Sequence, residues 1–191
     1  MPLQIPFLKC TVASLLSTMV LGAFLASPAW AVNEARLDDL YMQLKDAERA
    51  EALRLAREID RELANSGSPA MNLLLKRGDD AMEAGDFEAA LNHFTALTDH
   101  APDFAEGWHR RAQAFVALEM YGPAVADLER VLDFRPRHYD AIATLGGILI
   151  QINKPELARD AFEAVLEIHP HHPDVLEALE VIGPQVGGTQ L

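Results

Sequence analysis

The segment EIHPHHPD, residues 167–174, decides how this chain is read. Taken alone, its three histidines suggest a metal site. Read outward, Pro170 lies 34 residues after Pro136, and Pro136 lies 34 residues after Pro102. The same interval joins Ala90, Ala124 and Ala158, and the small residues Gly78, Ala112 and Gly146. It also joins the bulky sets Leu74, Trp108, Ile142; Phe94, Leu128, Phe162; and Leu97, Val131, Val165. Self-similarity at a fixed period marks a repeat array. The histidine-rich loop is therefore a joint between repeats before it is anything else.

Each copy divides into two helical runs. In the first, MNLLLKRGDDAMEAG is followed by DFEAALNHFTALTDH, with Asp86 placed to cap the second run and Pro102 just past its end. In the second copy, Asp103 and Glu106 have capping-box spacing, and Pro123 suits the start of the second run. In the third, Asn153 and Glu156 repeat the cap spacing, with Pro155 beside them. The small columns let the two helices of a pair approach closely, and the bulky columns fill the space between neighbouring pairs.

This pattern of a large residue, a small one, Ala, an aromatic and Pro at fixed offsets resembles the tetratricopeptide repeat, from about Met71 to His172. Pro155 departs from it, standing where Tyr121 and Phe87 stand in the other copies. The resemblance implies an all-α fold, a right-handed α-solenoid of three helix pairs at residues 71–104, 105–138 and 139–172, within a repeat region of 69–172. A single repeat cannot bury both faces, so caps are expected. Residues 173–183 supply one, with Leu176, Leu179 and Ile182 on one face. Gly183-Pro184 is expected to end it, leaving 184–191 as a tail. Residues 32–68 read as an N-terminal helical hairpin, with stripes Leu37, Leu40, Tyr41, Leu44 and Leu53, Ala56, Ile59, Leu63. It lacks the repeat columns: 34 residues before Phe94 stands Asp60. The hairpin is expected to pack on the first repeat.

Residues 1–31 have the layout of a secretory signal peptide: Lys9, an apolar run, then Ala29 and Ala31 in an A-x-A pattern. The one cysteine, Cys10, lies in that segment, so disulfide, redox and haem-attachment chemistry are not expected after its removal. The expected setting is an exported protein of a bacterial periplasm, without stable membrane insertion once the signal is cut. Half of the 191 residues are apolar and 24% are charged, the balance of a folded chain. The net charge of −13 argues against nucleic acid as a partner.

No catalytic constellation, cofactor motif or metal set is expected. Asp79 and Asp80 are consecutive and diverge on a helix, and Gly146-Gly147 lies inside one. The histidines of HPHHP read as surface decoration of a proline-pinned turn, and His109 as a partly exposed groove residue. By the resemblance, the first helix of each pair lines a concave groove for a protein or peptide partner. The implied positions are Asn72, Leu75, Asp79, Met82 and Glu83; Glu106, His109, Gln113, Val116 and Ala117; and Asp140, Ala143, Gly147, Ile150 and Gln151. Four are acids and none is basic, although Lys76, Arg110 and Arg111 flank them. The expected role is a non-catalytic interaction or scaffold module taking a neutral-to-basic segment in an acidic, partly apolar groove. The competing readings are a metal-binding protein using His169, His171 and His172, and a self-associating helical dimer.

Overall fold

The computed structural model describes residues 29–186, and among these every regular element is an α-helix. Residues 1–28, which hold most of the expected signal segment, and the tail beyond residue 186 lie outside the described residues. In chain order the helices are α1 (Ala29–Asp46), α2 (Arg49–Leu63), α3 (Pro69–Glu83), α4 (Phe87–His100), α5 (Ala105–Ala117), α6 (Tyr121–Phe134), α7 (Tyr139–Gln151), α8 (Pro155–Ile168) and α9 (Pro173–Val186). The outer helices α4, α6 and α8 begin at residues 87, 121 and 155, so the sequence period is also the spatial period. Pairs α3–α4, α5–α6 and α7–α8 stack in order as a solenoid, and α9 packs on α8.

The small columns act as the sequence implies. A Cβ added at Gly78 would stand 2.2 Å from the Phe94 ring, and one at Gly146 would stand 2.4 Å from the Phe162 ring. In the middle pair the bulky partner is Leu128, and the small residue is Ala112; both are fully buried. The size of the inner residue tracks the size of its outer partner. Arg111 adds a polar tie between α5 and α6, donating to both Asp127 carboxylate oxygens at 2.7 and 2.8 Å and to Thr98 Oγ1 at 2.8 Å.

Helix starts follow local chemistry, with corrections. Asp86 accepts from the Ala89 N–H at 3.0 Å and caps α4 as expected. The Asp103–Glu106 capping box does not form: Phe104 precedes α5, and Glu106 turns inward. Asn153 makes no cap either, because it takes φ +58 in the turn before Lys154, the residue that precedes α8. Pro123 falls at the third position of α6 rather than the first, still within the turn where a missing N–H is harmless. Helix α9 runs through Gly183-Pro184 to Val186, since a proline in the last turn removes only one helical bond. Its most buried residues are Val175 and Ile182; Leu176 and Leu179 are half-buried.

The hairpin differs most from expectation. Its first stripe, Leu37, Leu40, Tyr41 and Leu44, is buried, but the second is Ala52, Leu55, Ile59 and Leu63, with Leu53 exposed. These residues share one core with Tyr139, Phe162, Val165, Val175 and Ile182, so the hairpin lies against the C-terminal half of the solenoid rather than the first repeat. Tyr41 meets Tyr139 edge-on at 6.2 Å between centroids, and Glu34 and Asp38 pair with Arg135 and Arg137. Asp60, which stands where the repeats have a bulky residue, is exposed, and the apolar stripe of α2 on its other side faces the C-terminal end of the array.

Candidate functional site

A cavity of about 530 Å³ opens on the inner face of α5 and α7. Its floor and walls are Glu106, His109, Arg110 and Gln113 from α5, and Asp140, Ala143, Thr144, Gly147 and Ile150 from α7. Asp60 and Leu63 of α2 close one side; Asp174, Val175 and Ala178 of α9 close another. His138, Phe162 and His172 complete the lining.

Of the groove positions read from the sequence, Glu106, His109, Gln113, Asp140, Ala143, Gly147 and Ile150 therefore converge. The others do not line this cavity. Asn72 accepts from the Ser66 backbone N–H at 3.0 Å and stabilises the turn before α3. Leu75 is core, and Met82 and Val116 pack against core clusters. Asp79 lies 3.8 Å from Arg110, and Glu83, Ala117 and Gln151 are exposed on the solenoid surface. The sequence reading did not place the other ten lining residues in the groove, among them Asp60, Leu63, Arg110, His138, His172 and Val175. For the two histidines a signal existed: each stands 32 residues after an acid, at the same repeat position.

That spacing builds a repeated device. His138 Nδ1 accepts from the Ala141 N–H at 3.3 Å, capping α7, while its Nε2–H donates to Glu106 Oε2 at 3.0 Å. One period later, His172 Nδ1 accepts from the Val175 N–H at 3.4 Å, and its Nε2–H donates to Asp140 Oδ1 at 3.3 Å. The tautomers follow from the backbone N–H groups facing each Nδ1. Each histidine thus ties the joint after one helix pair to the inner helix of that pair.

Two expectations are corrected here. The histidines of HPHHP do not project outward: His169 is 2% exposed and His172 8%, and only His171 is half-open. His169 lies against the rings of Tyr139 and His172, at 5.2 and 5.1 Å, because the loop packs beneath the residues that receive the hairpin. His109 is likewise 3% exposed, not a groove-edge residue, since α5 carries it beneath His138 with ring centroids 4.5 Å apart.

The floor of the cavity is strongly coupled. Burial alone would raise the Glu106 carboxyl, but the His109 and His138 imidazoles outweigh it and hold the acid well below its ordinary range. Arg110 Nε donates to Glu106 Oε1 at 2.7 Å, leaving Oε2 to the histidines. Burial, and then the neighbouring His138, push His109 down. His169 is pushed down to about 4, first by burial and then by His172. Asp140 is held low despite burial, chiefly by the His172 hydrogen bond. Asp60 is pushed up to about 6 by partial desolvation at the rim and by the Asp140 and Glu106 carboxylates. Negative charge at the rim is therefore in surplus.

The description "Tetratricopeptide repeat" matches this chain at residues 115–182 and at residues 75–122. A TPR repeat-containing protein of Rhizobium etli is 33% identical over 156 residues, covering 81% of this chain and 76% of the relative. The small glutamine-rich tetratricopeptide repeat-containing protein 2 of Saccharomyces cerevisiae is 33% identical over 95 residues, but this chain spans only 28% of its length. Among solved structures, the first TPR of Spaghetti (RPAP3), determined with an HSP90 peptide, is similar with a TM-score of 0.59. That likeness has 21% identity and covers 62% of this chain and 94% of the other, and it shows a shared fold.

Proposed function

This chain belongs to the tetratricopeptide-repeat family, and from that membership we propose that it is a non-catalytic interaction or scaffold module of the cell envelope. Its partner is a neutral-to-basic protein segment, bound in the concave groove of α5 and α7. The proposed setting follows from the apolar leader and A-x-A pattern of residues 1–31.

The observation that carries this reading is the charge and shape of the cavity. Apolar walls (Leu63, Ala143, Ile150, Val175) lie beneath a rim bearing Asp60, Asp140 and Asp174, and the one lysine or arginine in the lining, Arg110, is engaged by Glu106. A lysine or arginine on the partner would meet the exposed Asp60 and Asp174 carboxylates at the rim, while its apolar neighbours fill the walls. Complementary charge of this kind steers encounter and fixes orientation. The HSP90-peptide complex of the related fold gives precedent for a peptide on such a solenoid. Here, however, the rim is acidic, which disfavours an acidic peptide tail. The hairpin covers part of the C-terminal half of the groove, so a long partner helix must lie beside α2 or move it.

The test is capture from an envelope extract by the full chain, comparing wild type with Asp60→Lys and Asp174→Lys. Both rim side chains reach solvent, so the variants leave the core intact. Reversal is expected to remove the basic members of the captured set. Identical catches would show that the acidic rim is not the recognition surface.

A further inference from the structure

We propose that Glu106, His109 and His138 form a binding site for a divalent transition-metal ion of the zinc or cobalt type, at the floor of the concave cavity. The three side chains come from two elements, with Glu106 and His109 on α5 and His138 at the joint before α7. One donor atom of each lies within 4.8 Å of the others, and all three residues are buried. His138 Nε2 is 3.0 Å and His109 Nδ1 3.5 Å from the same oxygen, Glu106 Oε2. Ligands of a tetrahedral zinc stand about 3.3 Å apart, from zinc–ligand distances of about 2.0–2.2 Å. Those two separations therefore already match the edges of a coordination tetrahedron. Two imidazoles and a carboxylate are the donor set that suits such an ion.

A second observation is independent of the spacing. His109 Nδ1 is buried without a hydrogen-bond partner, although its residue is only 3% exposed. A buried polar atom left unpaired is uncommon and asks for a partner. Aimed at Glu106 Oε2 but too far for a good hydrogen bond, it is placed for a ligand between the two. The surroundings also suit a cation. Glu106, Asp140 and Asp60 line the cavity with one guanidinium, Arg110, so its acids outnumber its bases beside the imidazoles. The outer contacts are those of a supported site: Arg110 on Glu106 Oε1 and Gln113 on His109 Nε2, at 2.7 and 3.3 Å. The cavity gives an entry path and room for a water as fourth ligand.

Two contacts oppose binding and set the expected strength. Ligation through His138 Nε2 moves that ring's proton to Nδ1, where it faces the Ala141 N–H and displaces the 3.3 Å cap. Ligation through His109 Nδ1 likewise moves its proton to Nε2, which the Gln113 side-chain oxygen accepts once the amide turns over and gives up its 3.4 Å bond from Arg110 Nη1. No proton leaves the protein, but the cap is given up. The affinity is accordingly expected in the micromolar range, below that of a structural zinc site.

The test uses the full chain, the metal alone and no partner, so its result is separate from that of the groove reading. Calorimetric titration with zinc should show one ion per chain, and cobalt should give the visible bands of a tetrahedral centre. His109→Gln removes a ligand and should weaken zinc by more than the roughly hundredfold that loss of a supporting partner can cost, whereas His171→Ala, in the half-open part of HPHHP, should leave it unchanged. Imidazole nitrogen NMR of the wild type needs no variant: His109 Nδ1 and His138 Nε2 should shift on adding zinc. No saturable binding, binding indifferent to His109→Gln, or shifts at His171 instead would overturn the site.

Discussion

His169 shows how an exposed-looking residue becomes a structural one. Three histidines in a proline-pinned loop read as solvated, because loops run over surfaces and histidine is often polar decoration. Tyr139 changes that, since its ring and the hairpin behind it cover the loop. The consequence is a pH dependence. The ring is neutral in the fold, with its pKa pushed to about 4, against about 6.5 when unfolded. Its stabilising contribution is complete above pH 6.5 and is lost as pH falls toward 4, by up to about 3 kcal/mol. Thermal melts between pH 7.5 and 4 should therefore steepen in their loss of Tm below about 6, and His169→Phe should flatten that loss. An unchanged profile in the variant would contradict the burial described. His138 carries a separate load. Truncation to Ala removes both the α7 cap and a donor to buried Glu106, and should cost about 2–4 kcal/mol by chemical denaturation.

At the scale of the helix pair, inner and outer residues are matched in size. Gly78 and Gly146 sit under Phe94 and Phe162, while Ala112 sits across from Leu128. Introducing Leu128→Phe alone should place an aromatic ring against the Ala112 methyl and cost about 1–3 kcal/mol. Adding Ala112→Gly should recover part of that loss, despite the cost of about 1 kcal/mol for glycine inside a helix. A double-mutant cycle with no coupling between the two would mean that the column is coincidence. This was the legible part of the protein. The 34-residue columns, the small-residue positions and the Asp86 cap are local or near-local, so sequence spacing carries them. What spacing did not carry was where the hairpin goes. Asp60 showed that the hairpin lacks a repeat column, but nothing in the α2 stripe named Tyr139 and Ile182 as its partners. The cavity was partly legible for the same reason: most of its α5 and α7 positions followed from the period, whereas Asp60, Leu63 and Val175 arrive through tertiary packing.

At the scale of the molecule, the hairpin both supports the C-terminal repeats and forms one wall of the cavity. Ile59→Asp should undock it. Hydrogen exchange should then rise in α7–α9 while α3–α4 stays protected, as the core shared by α2, α7, α8 and α9 requires. Exchange rising in α3–α4 instead would restore the simpler arrangement of a hairpin on the first repeat. The same wall frames the binding claim. Gly147 lines the cavity with no heavy atom within 4 Å of an added Cβ. Gly147→Leu should therefore project into the groove and obstruct it without straining the core, and should raise helix stability by about 1 kcal/mol. The most direct measurement is the affinity of a partner captured from envelope extract for wild-type and Gly147→Leu protein, with Tm recorded for both. Loss of binding at equal or higher Tm is the predicted result. Equal affinity in a protein whose cavity is obstructed at Gly147 would contradict the claim that the concave groove is where this solenoid holds its partner.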